Sequence, residues 1–428
     1  MKIIKMGVFG LGRGNELIKD VLGNNGEIVA LCDMNTEKMQ AINDSLGGTA
    51  AMYTDFDKFI EHEGLEAILI ANYFHEHAPY AIKALEKGIH VLSDCIAAGT
   101  MGECVALVRA VEKSNAIYCQ GEDFQYMIFN QEMKRIYEGG TLGKLIYAEG
   151  EYVHPIGPDR YPYFKRLKPY AKHWRNWNPA CYYVTHSLGP LMYMTGVRPK
   201  RVCALPALCS EPYSPERNKV GYYKVAERAG VMTTINDDGS VFRFVGCANW
   251  GFQEDSYRLC CDKGQVENLR GSREILLSYN SWEKPEGAET TSRYIPEWQD
   301  KDVELIKKSG HGGADFFVLR HFFDCIRNNK QPEYFDVYDA TLMASVAFLA
   351  HRSMLEYGVP YDIPDFRKEE DRVKWENDFL TPFYGSDGSE PTLPCSTVAD
   401  DRHTPEAMAQ YEAYLSEIPN EGYWTPKA

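Results

Sequence analysis

The 428-residue sequence lacks the features that mark several large classes of protein. It has no basic excess, since 46 lysines and arginines face 61 aspartates and glutamates, and the net charge of −15 argues against nucleic acid or an anionic membrane as a partner. It has no apolar run of transmembrane length and no C-x-x-C, H-x-x-x-H or H-E-x-x-H pattern. We therefore expect a soluble protein with no metal ion, no nucleic-acid partner and no membrane partner.

The twelve cysteines also lack the spacing of a disulfide framework or a zinc site. Cys260 and Cys261 are adjacent, which suits neither arrangement. No signal-peptide pattern precedes the first predicted strand, so we expect a reduced, cytoplasmic protein. The length predicts two domains, and the hydrophobic content of 44% is enough for a substantial core in each.

The clearest motif in the sequence is a glycine-rich turn between a strand and a helix. The predicted strand Lys2–Phe9 leads into the turn Gly10–Asn15, which is followed by the helix Glu16–Leu22, the strand Glu27–Cys32 and Asp33. This order of strand, glycine turn, helix, strand and acid is typical of a dinucleotide-binding unit.

Each part of that motif has a physical role. Gly10 allows the tight turn, and Gly12 lets the backbone approach a pyrophosphate at the start of the helix. Asp33 would accept hydrogen bonds from the ribose hydroxyls and repel a 2′-phosphate, which favours NAD over NADP. The third glycine of the pattern is absent, because the expected position is Asn15 with Gly14 beside it. A purely structural glycine turn is the alternative.

The first third of the chain alternates short apolar runs with helical patterns. Further strands are predicted at Ala67–Ala71, His90–Ser93 and Ala116–Cys119. The predicted helices are Thr36–Leu46, Phe56–His62, Glu76–Glu86 and Met101–Lys113. This alternation predicts a doubly wound parallel Rossmann sheet over residues 1–123, with its ligand at the carboxyl ends of the strands. The residues predicted to bind the cofactor are Gly10, Leu11, Gly12, Arg13, Gly14, Asn15, Asp33, Asn72, His75, His77, Asp94 and Cys95.

The pattern changes after residue 123. Helices are predicted at Phe129–Tyr137, Cys181–Thr195, Asp315–Asn328 and Val337–Tyr357. Strands without intervening helices are predicted at Leu145–Val153, Arg201–Leu205, Gly230–Asn236, Ser240–Trp250, Tyr257–Cys261 and Ile275–Tyr279. We therefore expect an α+β domain with an open antiparallel β-sheet over residues 124–360. Residues 361–428 are predicted to form an arm that wraps this subunit or a neighbour, and an open sheet favours a homo-oligomer.

Two strings give the chain a resemblance to a known family. Ala71–Pro79 and His90–Asp94 resemble the A-T-P-N-x-x-H-A and H-V-x-x-E-K-P strings of the Gfo/Idh/MocA oxidoreductases. The resemblance covers roughly residues 1–365, and it implies a Rossmann domain joined to an open antiparallel sheet. The lysine of E-K-P assists proton transfer in that family, and Cys95 stands in its place here.

A narrower resemblance points to one branch of that family. Tyr183–Pro190 is similar to the Y-P-T-H-G-L-G-P string of the NAD-dependent α-N-acetylgalactosaminidases, and Gly310–Gly313 is similar to their G-H-G-G segment. Glu122, with Tyr126, is similar to their E-N-x-x-Y segment. That branch also lacks the lysine and cleaves glycosides by transient oxidation with tightly held NAD. The resemblance implies functional positions at Glu122, Tyr183 and His186, with His311 nearby.

Sugar oxidation needs a base for the hydroxyl proton and an acceptor for hydride. His186 is the best candidate base, because histidine titrates near working pH. Tyr183 would share its face if this segment is helical. A ketone at carbon 3 makes the proton on carbon 2 acidic, so that the group on carbon 1 can leave by elimination, with no pair of carboxylates at fixed spacing. Core packing or helix capping is the alternative for each side chain, and Glu122 could cap a helix.

The remaining candidates are predicted to bind the sugar. Trp174 and Trp177 lie in the aromatic and basic segment Tyr161–Asn178 and could stack on a sugar ring, although core packing is as plausible. Tyr126 and His311 complete the predicted substrate-binding set. The sequence thus favours an NAD-dependent enzyme acting on a carbohydrate or glycoside. It leaves open plain oxidation, net hydrolysis with recycled NAD, and a non-catalytic NAD-binding sensor.

Overall fold

The computed structural model describes residues 2–155, 170–208, 225–398 and 404–417. Its first sheet has six parallel strands in the order β3-β2-β1-β4-β5-β6. The strands are β1 Ile4–Phe9, β2 Gly26–Cys32, β3 Ala51–Tyr53, β4 Ala67–Ile70, β5 His90–Ser93 and β6 Tyr118–Gln120. The helices between them are α1 Gly14–Gly23, α2 Thr36–Ser45, α3 Phe56–Phe59, α4 His77–Glu86 and α5 Met101–Lys113. The predicted doubly wound parallel sheet is confirmed, and β3 is a strand that the sequence analysis missed.

The strands of this sheet are apolar on both faces, as a sheet with helices on each side requires. All four residues of β4 are buried, and the chain order reverses between β1 and β4. A crevice therefore opens at the carboxyl ends of these two strands, where such sheets bind their ligands.

The second sheet has nine strands and is mostly antiparallel. Its strands are β7 Leu145–Val153, β8 Pro199–Ala207, β9 Ala229–Asn236, β10 Val241–Ala248, β11 Glu254–Cys261, β12 Gly264–Asn268, β13 Ile275–Tyr279, β14 Thr291–Tyr294 and β15 Tyr361–Asp362. The order is β14-β13-β12-β11-β7-β10-β9-β8-β15, and β7 pairs with β10 in parallel. The open antiparallel sheet is thus confirmed with one parallel pair, while β12, β14 and β15 were not predicted.

Of the helices in the second half, the first two and Val337–Leu355 pack on this sheet, whereas Ala314–Asn328 and Glu369–Trp375 pack on helices of the first half. The helices of the second half are α6 Ile128–Glu138, α7 Thr185–Thr195, α8 Val303–Lys308, α9 Ala314–Asn328, α10 Val337–Leu355, α11 Glu369–Trp375 and α12 Pro405–Glu417. Helix α9 packs Phe322 and Phe323 into the same core cluster as Leu17 of α1. This packing fixes the loop before α9 close to the glycine turn before α1.

Helix α7 begins four residues later than its sequence pattern predicts. Residues 181–184 form turns that cross the sheet, and two glycines of the sheet make the crossing possible. A Cβ atom on Gly230 would lie 2.3 Å from the Cys181 sulfur, and one on Gly246 would lie 3.0 Å from the Tyr183 carbonyl oxygen. Tyr183 therefore precedes the helix, although its ring still lies 5.1 Å from that of His186.

The described part of the predicted arm lies on its own chain. Arg372 forms two hydrogen bonds with Glu112 of α5, and the carbonyl of Asp378 accepts from the N–H of Gly102 at 2.8 Å. The ring of Phe383 stacks on His75 at 4.4 Å. Contact with a neighbouring subunit stays a prediction, as do the domain limits. No helix in the described ranges combines the length and apolar character needed to cross a bilayer.

Candidate active site

The glycine turn is shaped for a phosphate group. Gly10 has a φ of 85°, and a Cβ atom there would lie 2.5 Å from the backbone of Ala71. A Cβ atom on Gly12 would meet nothing within 4 Å, so the space above it is open. No side chain caps the first turn of helix α1, so the N–H groups before Glu16 are available to an anion, while that of Glu16 donates to the Arg13 carbonyl. This open turn fits the pyrophosphate of a dinucleotide.

The role of the missing third glycine falls to Gly14. A Cβ atom on Gly14 would lie 2.6 Å from Val8, so only glycine lets α1 approach β1 this closely. The sequence pattern expects this contact one residue later, at Asn15, which is half-buried instead. Gly14 is buried at the first position of α1. The turn is therefore one residue shorter than the standard motif, and the helix packs in the same way.

Asp33 lies at the edge of this turn, where the ribose of an adenosine would be held. One of its carboxylate oxygens accepts from the N–H of Leu11 at 2.6 Å, and the other accepts from the N–H of Asn35 at 2.8 Å. The side chain of Leu11 is fully buried, so only its backbone belongs to the turn. These bonds hold the carboxylate beside the crevice, and its remaining lone pairs can accept from ribose hydroxyls.

The loop after β4 carries three residues that the sequence predicts to bind the cofactor, and the structure shows that they differ in their hydrogen bonding. Asn72 Oδ1 and His75 Nδ1 are buried and have no hydrogen-bond partner in the part of the chain that the structure describes. A bound nucleotide would satisfy such atoms. His77 points inward, and its Nδ1 lies 2.9 Å from the Asp94 carbonyl oxygen and 2.8 Å from that of Ile96. His77 thus holds the loop after β5, which carries Asp94 and Cys95.

Burial controls the charge of these loop residues. It lowers the pKa of both His75 and His77 to about 4, so that both rings are neutral at pH 7. It raises the pKa of Asp94 to about 6, against the opposing effect of the Arg13 charge. Burial and the Glu122 charge raise the pKa of the Cys95 thiol well above its ordinary value, and this thiol donates to Glu122 at 3.2 Å. Cys95 is therefore no reactive thiolate.

The loop after β6 and the start of α7 bring two predicted residues together. His186 Nδ1 lies 2.8 Å from one oxygen of Glu122 and 3.1 Å from the other. The ring of Phe124 stacks on His186 at 4.1 Å, and the hydroxyl of Tyr257 donates to the His186 carbonyl. These contacts turn Nδ1 toward the carboxylate, so Nε2 is left for a substrate.

Glu122 and His186 change each other's pKa. Burial alone would raise the pKa of Glu122, but the charge and hydrogen bond of His186 outweigh it and lower that pKa to about 2. Burial alone would lower the pKa of His186, but Glu122, helped by Asp123, raises it above its ordinary value. The pair therefore resembles the carboxylate and histidine of a base dyad, in which the carboxylate orients the ring and stabilises its protonated form.

A second cluster lies beside this pair and was not predicted as a unit. Asp123 Oδ2 lies 2.9 Å from His311 Nδ1, and Asp315 Oδ1 lies 3.1 Å from the same nitrogen. Arg13 donates to both oxygens of Asp315, at 2.6 and 3.0 Å, and to Asp123 at 3.1 Å. The Asp123 charge outweighs the effect of burial and raises the pKa of His311 to about 11. Arg13 of the glycine turn thus joins Asp123, at the end of the first domain, to Asp315 in the second half of the chain.

Among the described residues, two sets of acidic and histidine side chains have oxygen and nitrogen atoms close enough together to hold a cation. The side chains of Glu122, Asp123 and His186 form one such group, with ligand atoms within 4.8 Å of one another. Asp123, His311 and Asp315 form the other. Arg13 and the histidines already provide positive charge to these carboxylates. That a metal plays no part stays a prediction.

The predicted sugar-binding aromatics fall into two sets. The ring of Phe74 lies between Trp174, at 5.0 Å, and Tyr183, at 5.3 Å, and both pairs are stacked. Tyr126 instead packs in a buried cluster against Tyr193. Trp177 is also buried, with its ring on Tyr384 and its N–H donating to the Ala171 carbonyl. The structure therefore brings Tyr183 beside His186, separates Trp174 from Tyr183 by the ring of Phe74, and leaves Tyr126 and Trp177 in packed surroundings. The first part of the segment, residues 161–169, lies outside the described residues.

Comparison with known proteins supports both halves of this site. Residues 4–122 match the oxidoreductase family with the NAD-binding Rossmann fold, and residues 272–376 match the C-terminal domain of glycosyl hydrolase 109. The chain is 24% identical over 405 residues to a glycosyl hydrolase family 109 protein of Shewanella pealeana, with 86% of each chain covered. It is 25% identical over 410 residues to a family 109 protein of Bacteroides thetaiotaomicron, covering 86% of this chain and 85% of that one.

Solved structures with the same fold include two sugar enzymes. A levoglucosan dehydrogenase in complex with NADH and L-sorbose matches with a TM-score of 0.70 at 15% identity, covering 85% of this chain and all of that one. The aldose-aldose oxidoreductase of Caulobacter crescentus, with bound glycerol, matches with a TM-score of 0.65 at 18% identity and the same coverage. The predicted NAD-binding fold and the resemblance to the glycosidase branch are both confirmed.

Proposed function

Because this chain joins the NAD-binding domain of the Gfo/Idh/MocA oxidoreductases to the C-terminal domain of glycosyl hydrolase 109, we propose that it is an NAD-dependent enzyme that oxidises carbon 3 of a pyranoside. This oxidation is the first step of redox-assisted cleavage of the glycosidic bond. The family 109 relatives favour cleavage, and the dehydrogenase neighbours favour a sugar as substrate.

The contact between His186 and Glu122 carries this proposal. His186 accepts the hydroxyl proton at Nε2, because Nδ1 is turned to the carboxylate at 2.8 Å. The Glu122 charge stabilises the imidazolium that forms, and Tyr183 lies beside the ring to bind a neighbouring sugar oxygen. Bound NAD supplies the hydride acceptor for carbon 3. Gly12 and Asp33 would hold its pyrophosphate and its adenosine ribose.

Retention of the cofactor is supported by the chain segments around the loop after β4. Tyr170 donates to the hydroxyl of Tyr73 at 3.2 Å, and His173 packs edge-on against Tyr73 at 5.2 Å. Phe383 of the arm covers His75. These contacts tie the predicted cofactor loop to segments outside the Rossmann sheet, which favours recycled NAD over NAD that exchanges in each turnover. A plain oxidoreductase, whose NAD exchanges, is the second candidate.

Mass analysis and absorbance of the purified protein test this proposal. We expect NAD to co-purify and to become reduced when a glycoside is added. With a glycoside in heavy water, deuterium is expected at carbon 2 of the released sugar, because the ketone acidifies that position. Reduction of NAD without deuterium at carbon 2 would leave plain oxidoreduction, and absence of any reduction across a panel of glycosides would favour the sensor.

We also propose a cytoplasmic homo-oligomer. On the sheet face opposite the helices, Leu205 and Ile235 are each more than half exposed, with exposures of 57% and 54%. Covering such apolar side chains favours a second subunit. The cysteines of the described segments are free thiols, as a reducing compartment requires. A monomeric mass by light scattering, or recovery outside the cytoplasm on cell fractionation, would contradict these two points.

A further inference from the structure

Asp255 lies on the face of the second sheet that covers the proposed base. In the antiparallel pairing of β7 and β11, Asp255 is directly opposite Tyr152, so both side chains point to the same face. The ring of Tyr152 lies 4.9 Å from that of His186. Two residues further along β11, Tyr257 shares this face and donates its hydroxyl to the carbonyl of His186.

The backbone around Asp255 is held rigidly. Asn268 on the neighbouring strand donates to the Asp255 carbonyl at 2.8 Å and accepts from the N–H of Tyr257 at 2.6 Å. One oxygen of the carboxyl group, in contrast, is left without a partner among the described residues. This Oδ1 atom is buried and makes no hydrogen bond with any residue that the structure describes. A buried carboxyl oxygen of this kind is available to a ligand.

A cleft of about 280 Å³ opens at this carboxyl group. Its walls combine aromatic rings with polar groups, namely Phe129, Phe252, Arg273 and His311. The Nδ1 atom of His311 is bound to Asp123 and Asp315, so that its Nε2 atom is left for the cleft. The cleft is large enough for a small aromatic or sugar group, and its composition is typical of carbohydrate-binding surfaces.

The protonation of Asp255 suits proton donation. Burial raises its pKa to about 6, while the charges of His186 and His311 act in the opposite direction. The carboxylates of Asp123 and Glu254 also face it and add to the rise. A carboxyl group in this range can give up and regain a proton near neutral pH.

We propose that Asp255 is the acid that protonates the group leaving from carbon 1, and that the adjoining cleft receives this group. This inference rests on the proposed redox-assisted cleavage. Its basis is a half-buried carboxyl group that lies between the base and an open cleft, and whose buried Oδ1 atom makes no hydrogen bond with the described residues.

The step balances in protons and electrons. After oxidation at carbon 3, His186 holds the hydroxyl proton until the hydroxyl is restored, while water in the site takes the carbon 2 proton and later returns it. The electron pair left on carbon 2 forms the carbon 1–carbon 2 double bond and breaks the bond from carbon 1 to oxygen. The departing oxygen takes the proton of Asp255 and leaves as an alcohol. The carboxylate of Asp255 then takes a proton from water as its oxygen adds to carbon 1, and carbon 2 regains a proton. Return of the hydride to carbon 3 restores NAD and the hydroxyl.

The test is Asp255→Asn, with glycosides whose leaving groups differ in basicity. An aryl glycoside with a strongly electron-withdrawing ring needs little help, whereas an alkyl glycoside or a disaccharide needs an acid. We expect the variant to lose about 10² to 10⁴ in rate on the basic leaving groups and much less on the activated aryl group. Glu267→Gln is the control. Glu267 lies directly across from Arg258 of β11, on the sheet face that points away from Asp255, and its replacement removes the same single charge.

Partial reactions separate this inference from the proposed function. In Asp255→Asn, NAD should still be reduced by the glycoside, and deuterium should still enter carbon 2 of recovered, uncleaved glycoside. Equal losses on all leaving groups, or loss of the carbon 2 exchange, would overturn the acid role. If the wild-type protein itself shows no carbon 2 exchange, the proposed cleavage fails. Retained NAD binding by the variant confirms that it is folded.

Discussion

Two histidines of this site each turn Nδ1 to a carboxylate, yet they differ in what they can do. His186 faces Glu122 in a buried space, and its side chain is 10% exposed. His311 lies between Asp123 and Asp315, and its side chain is 37% exposed. Two carboxylates raise the pKa of His311 to about 11, so this ring stays protonated through the working range of pH. His186 has one direct carboxylate partner at hydrogen-bond distance, and its proton can move.

The charges of the site explain why this difference matters. The carboxylates of Glu122, Asp123 and Asp315 carry three negative charges, while Arg13 and His311 carry two positive ones. The third positive charge appears only when His186 takes a proton. Removal of the hydroxyl proton by His186 therefore adds positive charge beside a group of carboxylates, which favours the transfer.

The largest expected effect comes from removing the two histidines in turn. We expect His186→Ala to lose about 10² to 10⁴ in turnover while it keeps NAD binding, because general-base catalysis contributes this much. His311→Gln should lose roughly tenfold, as for one lost hydrogen bond to substrate. Single-turnover reduction of bound NAD by a glycoside measures both. Equal losses in the two variants would contradict the distinction, and Cys95→Lys should not rescue His186→Ala.

The next effect concerns the pH dependence that Glu122 imposes on His186. The charged groups that face His186 lie on four separate segments, namely Glu122 and Asp123, Asp94, Asp255, and His311. A base must be neutral, so the rate rises with pH through the pKa of His186. Glu122→Gln keeps a hydrogen-bond acceptor but removes the charge that raises this pKa, so the rise should move to lower pH. A rise in rate that stays at the wild-type pH would contradict the pairing.

A smaller effect is expected at Asp33, a half-buried carboxylate beside an open turn. Asp33→Ala should weaken NAD binding and relax the preference against NADP, because charge-assisted hydrogen bonds to the ribose are lost. The expected cost is about 1.5–3 kcal/mol, or roughly ten- to a hundredfold in affinity. Titration of both cofactors into the emptied protein measures it. Glu27→Ala, which removes an exposed acid near the opposite end of β2, is the matched control.

The smallest effect is on stability. The folded-state pKa of His311, about 11, lies above the value near 6.5 expected in the unfolded chain. Its contribution is therefore fully present below about pH 6.5 and is lost as pH rises through about 11. Because the ring is partly exposed, we expect about 0.5–1 kcal/mol. The urea midpoints of the wild type and His311→Gln should converge as pH rises from 6 to 10. A difference between the midpoints that stays constant with pH would exclude the ion pair as the cause of the stability difference.

The local patterns of the sequence were sufficient for the glycine turn and for the architecture of the two sheets, although they missed the strands β3, β12, β14 and β15. Alternating strands and helices depend on the spacing of apolar residues along one segment, which each segment carries by itself. The same holds for the positive φ of Gly10, which is a property of its own turn, although the close approach of Ala71 to Gly10 is not. The late start of α7 shows the limit, because Gly230 and Gly246 on other strands decide where residues 181–184 can cross the sheet.

The candidate site was only partly predictable for the same reason. The family strings pointed to Glu122, Tyr183 and His186, but the charged partners of these residues have no local signal. Arg13 and Asp315 are 302 positions apart, and His186 and Glu122 are 64 apart. Whether such groups meet depends on which strand ends and helix starts the two packed sheets bring together. The pKa of each histidine then follows from burial and from the number of carboxylates at that meeting point, which only the tertiary structure decides.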